Sequence, residues 1–222
     1  IYQCDWSSDV CSSDLWPLRF QRPLHCWSRF RCNGLCPKHL VPSKTQQLLI
    51  GASAVAIFAH LWHLNAACLD GDEIFSLLTS RGSLPQITSA ALADSVHPPL
   101  FYYVLHYWRL AGEGLVWLRL LPVLFGTLAL WPIALLASQF GLKPFERAAL
   151  IAVAGLHPSL IFYSQHLRMY SLFFCLALFS MWLLERSRFV ALTLVNVAMV
   201  YTHYFGVMVV RSEEHTSELQ SH

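Results

Sequence analysis

From Leu48 to Val210 the chain alternates apolar stretches with short polar breaks, and only one polar interruption is long, Leu69–Arg109. That pattern constrains the fold more than any other feature. Leu48–Leu69 (LLIGASAVAIFAHLWHLNAACL), rising about 1.5 Å per residue, is long enough to cross a hydrocarbon core of about 30 Å. Leu115–Phe140, Ala148–Tyr163, Met169–Leu184 and Phe189–Val210 read as further spans, the second and third of these somewhat short. Composition agrees, because 55% hydrophobic residues with only 13% charged is not the balance of a soluble domain. The expected fold is all-α, a polytopic integral membrane helix bundle with membrane lipids as its surroundings. A net charge of +2 without a basic stripe interleaved with aromatics gives no reason to expect a nucleic-acid partner.

Charge is unevenly distributed: residues 41–210 hold 16 of the 28 charged residues, and the short flanks hold 12. The flanks have a different origin. Cys4–Leu15 reads CDWSSDVCSSDL and Arg211–His222 reads RSEEHTSELQSH. A back-translation of the first has a reverse complement that encodes Arg211 to Ser221 and begins a His codon. Tails encoded by opposite strands of one DNA point to a sequencing adapter, so residues 1–15 and 211–222 are expected to be non-native and are set apart from fold reasoning. Residues 16–40 read as upstream DNA translated in frame, with the native start near Val41. Their Cys26, Cys32, Cys36 and His25 lack the paired ligand spacing of a zinc site. Cys68 and Cys175 alone imply no disulfide framework.

The long polar segment opens with Asp72 and Glu73 directly after the first span. Carboxylates at a membrane boundary are costly to desolvate, which points to a site facing water or a substrate headgroup. The alternative is that the two cap the first turn of a short surface helix, where carboxylates suit the dipole. On a helix adjacent side chains point about 100° apart, so only one of the pair can face a given partner. Ile74, Phe75, Leu77 and Leu78 form one apolar face, Arg81-Gly82-Ser83 breaks it, and Leu84–Ala93 makes a second short helical pattern. Such pieces lie in the interface plane. Pro98–Gly112 carries Tyr102, Tyr103, His106, Tyr107 and Trp108, aromatics of the headgroup belt, and reaches only about 22 Å as a helix. Treating it as re-entrant or interfacial places Lys44, Lys143, Arg147, Arg186 and Arg188 inside, with Arg81, Arg109, Arg119 and Arg168 outside. The positive-inside rule favours that arrangement. It also gathers Asp72, His97, His157, Arg168 and His203 on one side.

Tyr163, Gln165, His166 and Arg168 form the break before the next span. An arginine between two apolar stretches keeps its charge and needs an anion, and a lipid phosphate suits its bidentate fork. Snorkelling to lipid headgroups is the competing explanation. For His203 and His157 a packing role, each ring held by a hydrogen bond, is the default.

Taken together, DGDEIFS after the first span, HPPLFYYVLHYWR, LRLLPVLFGTLAL, FYSQHLRMYSL and YTHYFG resemble the polytopic glycosyltransferases of the GT-C fold that use polyprenyl-phosphate sugars. The likeness is to the bacterial dolichyl-phosphate-mannose-type and lipopolysaccharide-core branch. It covers roughly Leu48–Val210, so 41–210 would be the N-terminal part of a GT-C-like module, a fragment not expected to be active alone. The resemblance implies Asp72 as catalytic base with Glu73 beside it, and His97, Tyr163, Gln165, Arg168 and His203 as substrate-binding residues. It implies a polyprenyl-phosphate sugar donor, a glycan, lipid or protein acceptor, and a multi-pass place in the bacterial inner membrane. Relatives commonly carry an acidic residue where His166 stands. No cofactor is expected, and a divalent metal, though compatible with the chemistry, is not indicated by any ligand pattern. A transporter or lipid flippase is the rival reading, since intramembrane charges are equally expected there. A non-catalytic membrane fragment is the third.

Overall fold

The computed structural model describes residues 44–94 and 97–212, and the described residues form ten helices, a short helical stretch at 206–212 and no strand. The described residues are all-helical, in keeping with the all-α expectation. The expectations for 1–15 and 16–40, including the Cys26, Cys32 and Cys36 grouping, lie outside the described residues, as do those for 213–222. Of the second tail, Arg211 and Ser212 are described and are helical.

Helix α1 (Lys44–Leu61) stops well short of Leu69. Its end is fixed from a distance. Gln165 donates to the carbonyls of His60 (3.1 Å) and Trp62 (2.8 Å), and His63 turns the chain with φ 63°. The carbonyls of Leu64, Ala67 and Cys68 then accept from Arg119 at 2.8, 2.9 and 3.2 Å. Backbone groups that a longer helix would have paired internally are paired with two side chains instead.

Helix α2 (Gly71–Ser80) and helix α3 (Leu84–Asp94) occupy the two short helical patterns read in the polar segment, broken at Arg81. Helix α4 (Leu100–Arg109) follows, about 15 Å long, and buries Phe101, Tyr102 and Leu105. These pack with Ile87 and Ala91 of α3, Leu118 and Leu121, and Leu167 and Met169 in the larger core cluster. Full burial of a side chain such as Leu105 or Phe101 contributes about 2 kcal/mol.

Helix α5 (Leu115–Leu128) and helix α6 (Leu130–Gln139) run almost continuously as Leu115–Gln139, a stretch of 25 residues long and apolar enough to cross a membrane. The slight break at Ala129 has a cause: Pro132 offers no N–H to the Leu128 carbonyl and its ring crowds that oxygen. Helix α7 (Pro144–Gly155) and helix α8 (Pro158–Gln165) meet at 55° where a single span Ala148–Tyr163 was expected. Pro158 forces His157 into extended backbone (ψ 124°) and starts a new helix. Helix α9 (Tyr170–Glu185) matches Met169–Leu184 closely. Helix α10 (Phe189–Thr202) ends before the expected Val210, because His203 is extended (φ -156°) and the chain turns tightly into a further helical stretch at 206–212.

Close approach shapes the packing. A Cβ on Gly155 would lie 2.3 Å from the Ala56 Cβ, so α1 and α7 pack with backbones nearly touching. A Cβ on Gly126 would lie 2.7 Å from the Ser164 Cβ, which does the same for α5 and α8. Between these contacts sits His60, buried, its Nε2–H donating to the Gly155 carbonyl at 3.0 Å. Its Nδ1 accepts from the Ser164 hydroxyl at 2.6 Å. This histidine is a satisfied packing residue that joins three helices.

The most demanding contact is the ion pair of Glu73 with Arg119, exposed by only 1% and 5%. Arg119 meets the carboxylate side-on, Nε at 3.1 Å and Nη2 at 2.7 Å. With the three carbonyls named above, all five of its N–H donors are engaged. Removing one partner of such a pair strands a buried charge and costs about 3–5 kcal/mol. We therefore expect Arg119→Met to lower unfolding free energy in detergent micelles by at least that much. Glu73→Leu with Arg119→Met together should recover little, since the carbonyls of Leu64, Ala67 and Cys68 lose their donor. An Arg119→Met protein within about 1 kcal/mol of wild type would contradict this.

Candidate functional site

The N-terminus of α2 organises the site. Asp70 is its N-cap: Oδ1 accepts from the Glu73 N–H at 2.8 Å, while Glu73 Oε2 accepts from the Asp70 N–H at 3.2 Å. This reciprocal capping box satisfies two helix-end donors. Capping thus belongs to Asp70 and Glu73 rather than to Asp72 and Glu73. The rule that neighbours diverge by about 100° then sorts the pair. Glu73 points inward to Arg119 and also accepts from the Leu167 N–H at 2.9 Å, which ties the 166–169 loop to α2. Asp72 points outward, its side chain 71% exposed.

Arg168 stands beside Asp72. It is 4% exposed, and its nearest carboxylate is Asp72 Oδ2 at 3.8 Å, an ion pair too long to be a hydrogen bond. Nη1 donates to the Asp72 carbonyl and to Ser76 Oγ, each at 3.3 Å. Nη2 donates to His97 Nε2 at 3.3 Å. Arg168 Nε is buried with no partner among the described residues. The side-on edge of the guanidinium, Nε with Nη2, is therefore short of an acceptor, in contrast to the same edge of Arg119. Tyr102 lies within electrostatic range of Arg168, Asp72 and Asp94, and its buried hydroxyl likewise has no partner among the described residues. Burial pushes this phenol up to about 12, so it stays a protonated donor at neutral pH.

His97 Nδ1 lies 2.7 Å from Asp94 Oδ2, and its ring sits edge-on to His203, centroids 6.1 Å apart. His203 stacks on Phe205 at 5.0 Å and faces Tyr170 at 6.3 Å, which in turn meets Tyr163 at 5.1 Å. The fold thus brings Asp72, Arg168, His97 and His203 into one cluster. Tyr163 stands at its far rim, where with Tyr170, Ser171 and His60 it lines an apolar cavity of about 120 Å³. Gln165 is elsewhere, holding the end of α1, and His157 is exposed at the α7–α8 break.

Asp70, Glu73 and His166 present ligand atoms within 4.8 Å of one another. Each of these atoms is already engaged: His166 Nε2 donates to Asp70 Oδ2 at 2.8 Å, and the Glu73 carboxylate is held by Arg119. A positive guanidinium at bonding distance opposes a second cation there. The group reads as a capping network.

Asp70, Asp94, Arg119 and Tyr102 are the site-building residues that inspection of the sequence passed over. Two had a signal. Asp70-Gly71-Asp72-Glu73 carries the capping-box spacing, and Arg119 is a charge inside an apolar run that needs a partner.

The backbone N–H of Glu73, then His166, holds the Asp70 carboxyl below its ordinary range. A depressed carboxylate contributes stability above its unfolded pKa and loses it as pH falls through the folded one. Asp70→Ala should cost about 1 kcal/mol at neutral pH, and the gap to wild type should close as pH drops below the usual carboxylate range. A gap that widens on acidification would contradict the capping assignment. Compared with known proteins, the chain matches no family model, no curated protein and no solved structure.

Proposed function

We propose that this chain belongs to a membrane-embedded, inverting glycosyltransferase that moves a sugar from a polyprenyl-phosphate donor to a hydroxyl acceptor at the external face. The observation that carries the reading is Arg168, a buried guanidinium whose Nε has no acceptor among the described residues and whose one ion-pair partner among them is an exposed aspartate at 3.8 Å. An anion completes it, and the tetrahedral oxygens of a phosphate accept from the Nε–Nη2 edge in bidentate fashion. When the phosphate arrives, Asp72 is released from Arg168 and stands free and solvent-facing beside it.

The chemistry follows from these positions. Asp72 takes the proton of the acceptor hydroxyl, the oxygen attacks the anomeric carbon, and the carbon–oxygen bond to phosphate breaks with its electron pair going to the leaving lipid phosphate. The charge gained by that phosphate falls on Arg168 and the Tyr102 hydroxyl. Glu73 has no part in proton transfer in this reading, because both its oxygens are bound to fixed donors.

Membrane placement is supported by the surface. Leu115–Gln139 has the length and composition of a span, and α7 with α8 forms a bent pair of the same character. Large apolar side chains are exposed along α1 and α10, among them Ile50, Phe58, Val190 and Leu194. Helices whose outward faces are this apolar fit a lipid surrounding. In this reading α2 to α4 lie at the external interface, and α1 and α5 to α10 cross or enter the bilayer.

In the full-length protein, Asp72→Asn should reduce transfer by about 10²–10⁴ while lipid-phosphate binding changes little, because the amide keeps the shape but takes no proton. Glu73→Gln should instead show itself as lost stability. Near-normal transfer by Asp72→Asn would overturn the assignment of the base, and uptake of substrate across vesicles without glycosyl transfer would favour a transporter.

A further inference from the structure

Resting on the lipid-phosphate reading of the Arg168 cluster, the geometry points to Asp94 as a positioning residue that acts through His97. The hydrogen-bond directions leave one arrangement. An arginine N–H can only donate, so His97 Nε2, at 3.3 Å from Arg168 Nη2, presents its lone pair. The proton of the neutral ring is then on Nδ1, which donates to the Asp94 carboxylate at 2.7 Å. We propose that Asp94 holds His97 in this Nδ1–H tautomer, and that the Nε2 lone pair anchors Arg168 Nη2 so that the neighbouring Nε faces the phosphate.

Two consequences follow. His97 does not touch the phosphate as a donor, which differs from the direct role that the sequence suggested for it. Its work is to fix the rotation of the guanidinium, while Ser76 and the Asp72 carbonyl fix Nη1. The chain of contacts from α3 to the 166–169 loop therefore runs from the Asp94 carboxylate through a neutral imidazole to the Arg168 guanidinium. An imidazolium in place of the neutral ring would set N–H against N–H and turn Arg168 away.

The test needs no knowledge of the sugar. Full chain labelled with ¹⁵N-histidine, in detergent micelles, is measured by long-range ¹H–¹⁵N correlation at neutral pH, with His97 assigned by its absence from His97→Gln. The proposal expects the Nδ1–H tautomer in wild type. It expects the same tautomer in Asp94→Asn, whose amide oxygen still accepts, and loss of the single tautomer in Asp94→Ala. Binding of a polyprenyl monophosphate in the same micelles should weaken about tenfold in Asp94→Ala and recover most of the way in Asp94→Asn, as for other groups that orient a functional histidine. An Nε2–H tautomer or an imidazolium in wild type overturns the proposal, as does an unchanged tautomer in Asp94→Ala. If wild type fails to bind the lipid phosphate, the glycosyltransferase reading falls, and the tautomer measurement alone decides the role of Asp94.

Discussion

The fold depends on one buried ion pair. Glu73 in the first turn of α2 meets Arg119 near the start of α5, and several unusual features near the site are consequences of satisfying them. Arg119 engages all of its donors, two with Glu73 and three with carbonyls between Leu64 and Cys68. Those carbonyls are free to accept because α1 ends at Leu61. Glu73 in turn holds the Leu167 N–H, which fixes the loop that presents Arg168. A buried pair of this kind is weak evidence of net stabilisation but strong evidence of specification, since almost any other arrangement strands a charge. Two arginines of similar burial thus differ in kind. Arg119 is complete, and Arg168 Nε has no acceptor among the described residues.

That contrast separates the roles of adjacent carboxylates. Asp72 and Glu73 are indistinguishable by residue type and lie next to each other, yet the helix turns one toward the core and the other toward solvent. The inward one is bonded by fixed donors on both oxygens and cannot cycle a proton. The outward one is exposed and loosely paired. Structure and chemistry are divided between two positions of one helical turn, which explains why the polar segment can be both an anchor of the bundle and the edge of a site.

Much of the helical layout was legible in the sequence because apolar periodicity and proline positions are local signals. The two short helices around Arg81-Gly82-Ser83 and the stretch from Leu115 follow from them. Where reading failed, the cause was a distant partner. Nothing near Leu61 signals that α1 ends there, since the groups that stop it belong to Gln165 and Arg119. The break at His157 was signalled by Pro158 and was overridden by the apolar run on both sides. Of the candidate site residues, Asp72, His97, Arg168 and His203 do converge, whereas Gln165 spends its amide on helix ends and Tyr163 lines an apolar cavity. Asp94 carried no signal, because its meaning arises only from the ring it faces.

The central claim is that Arg168 is an anion site for a lipid phosphate, and the most direct measurement compares two lipids that differ only in charge. Binding of a polyprenyl monophosphate and of the uncharged polyprenol of equal length to the detergent-solubilised chain is measured for wild type and Arg168→Gln. The account predicts that wild type prefers the phosphate by at least about tenfold, close to 1.4 kcal/mol, and that Arg168→Gln loses the preference. Equal affinity of wild type for both lipids, or a preference that survives Arg168→Gln, would contradict it.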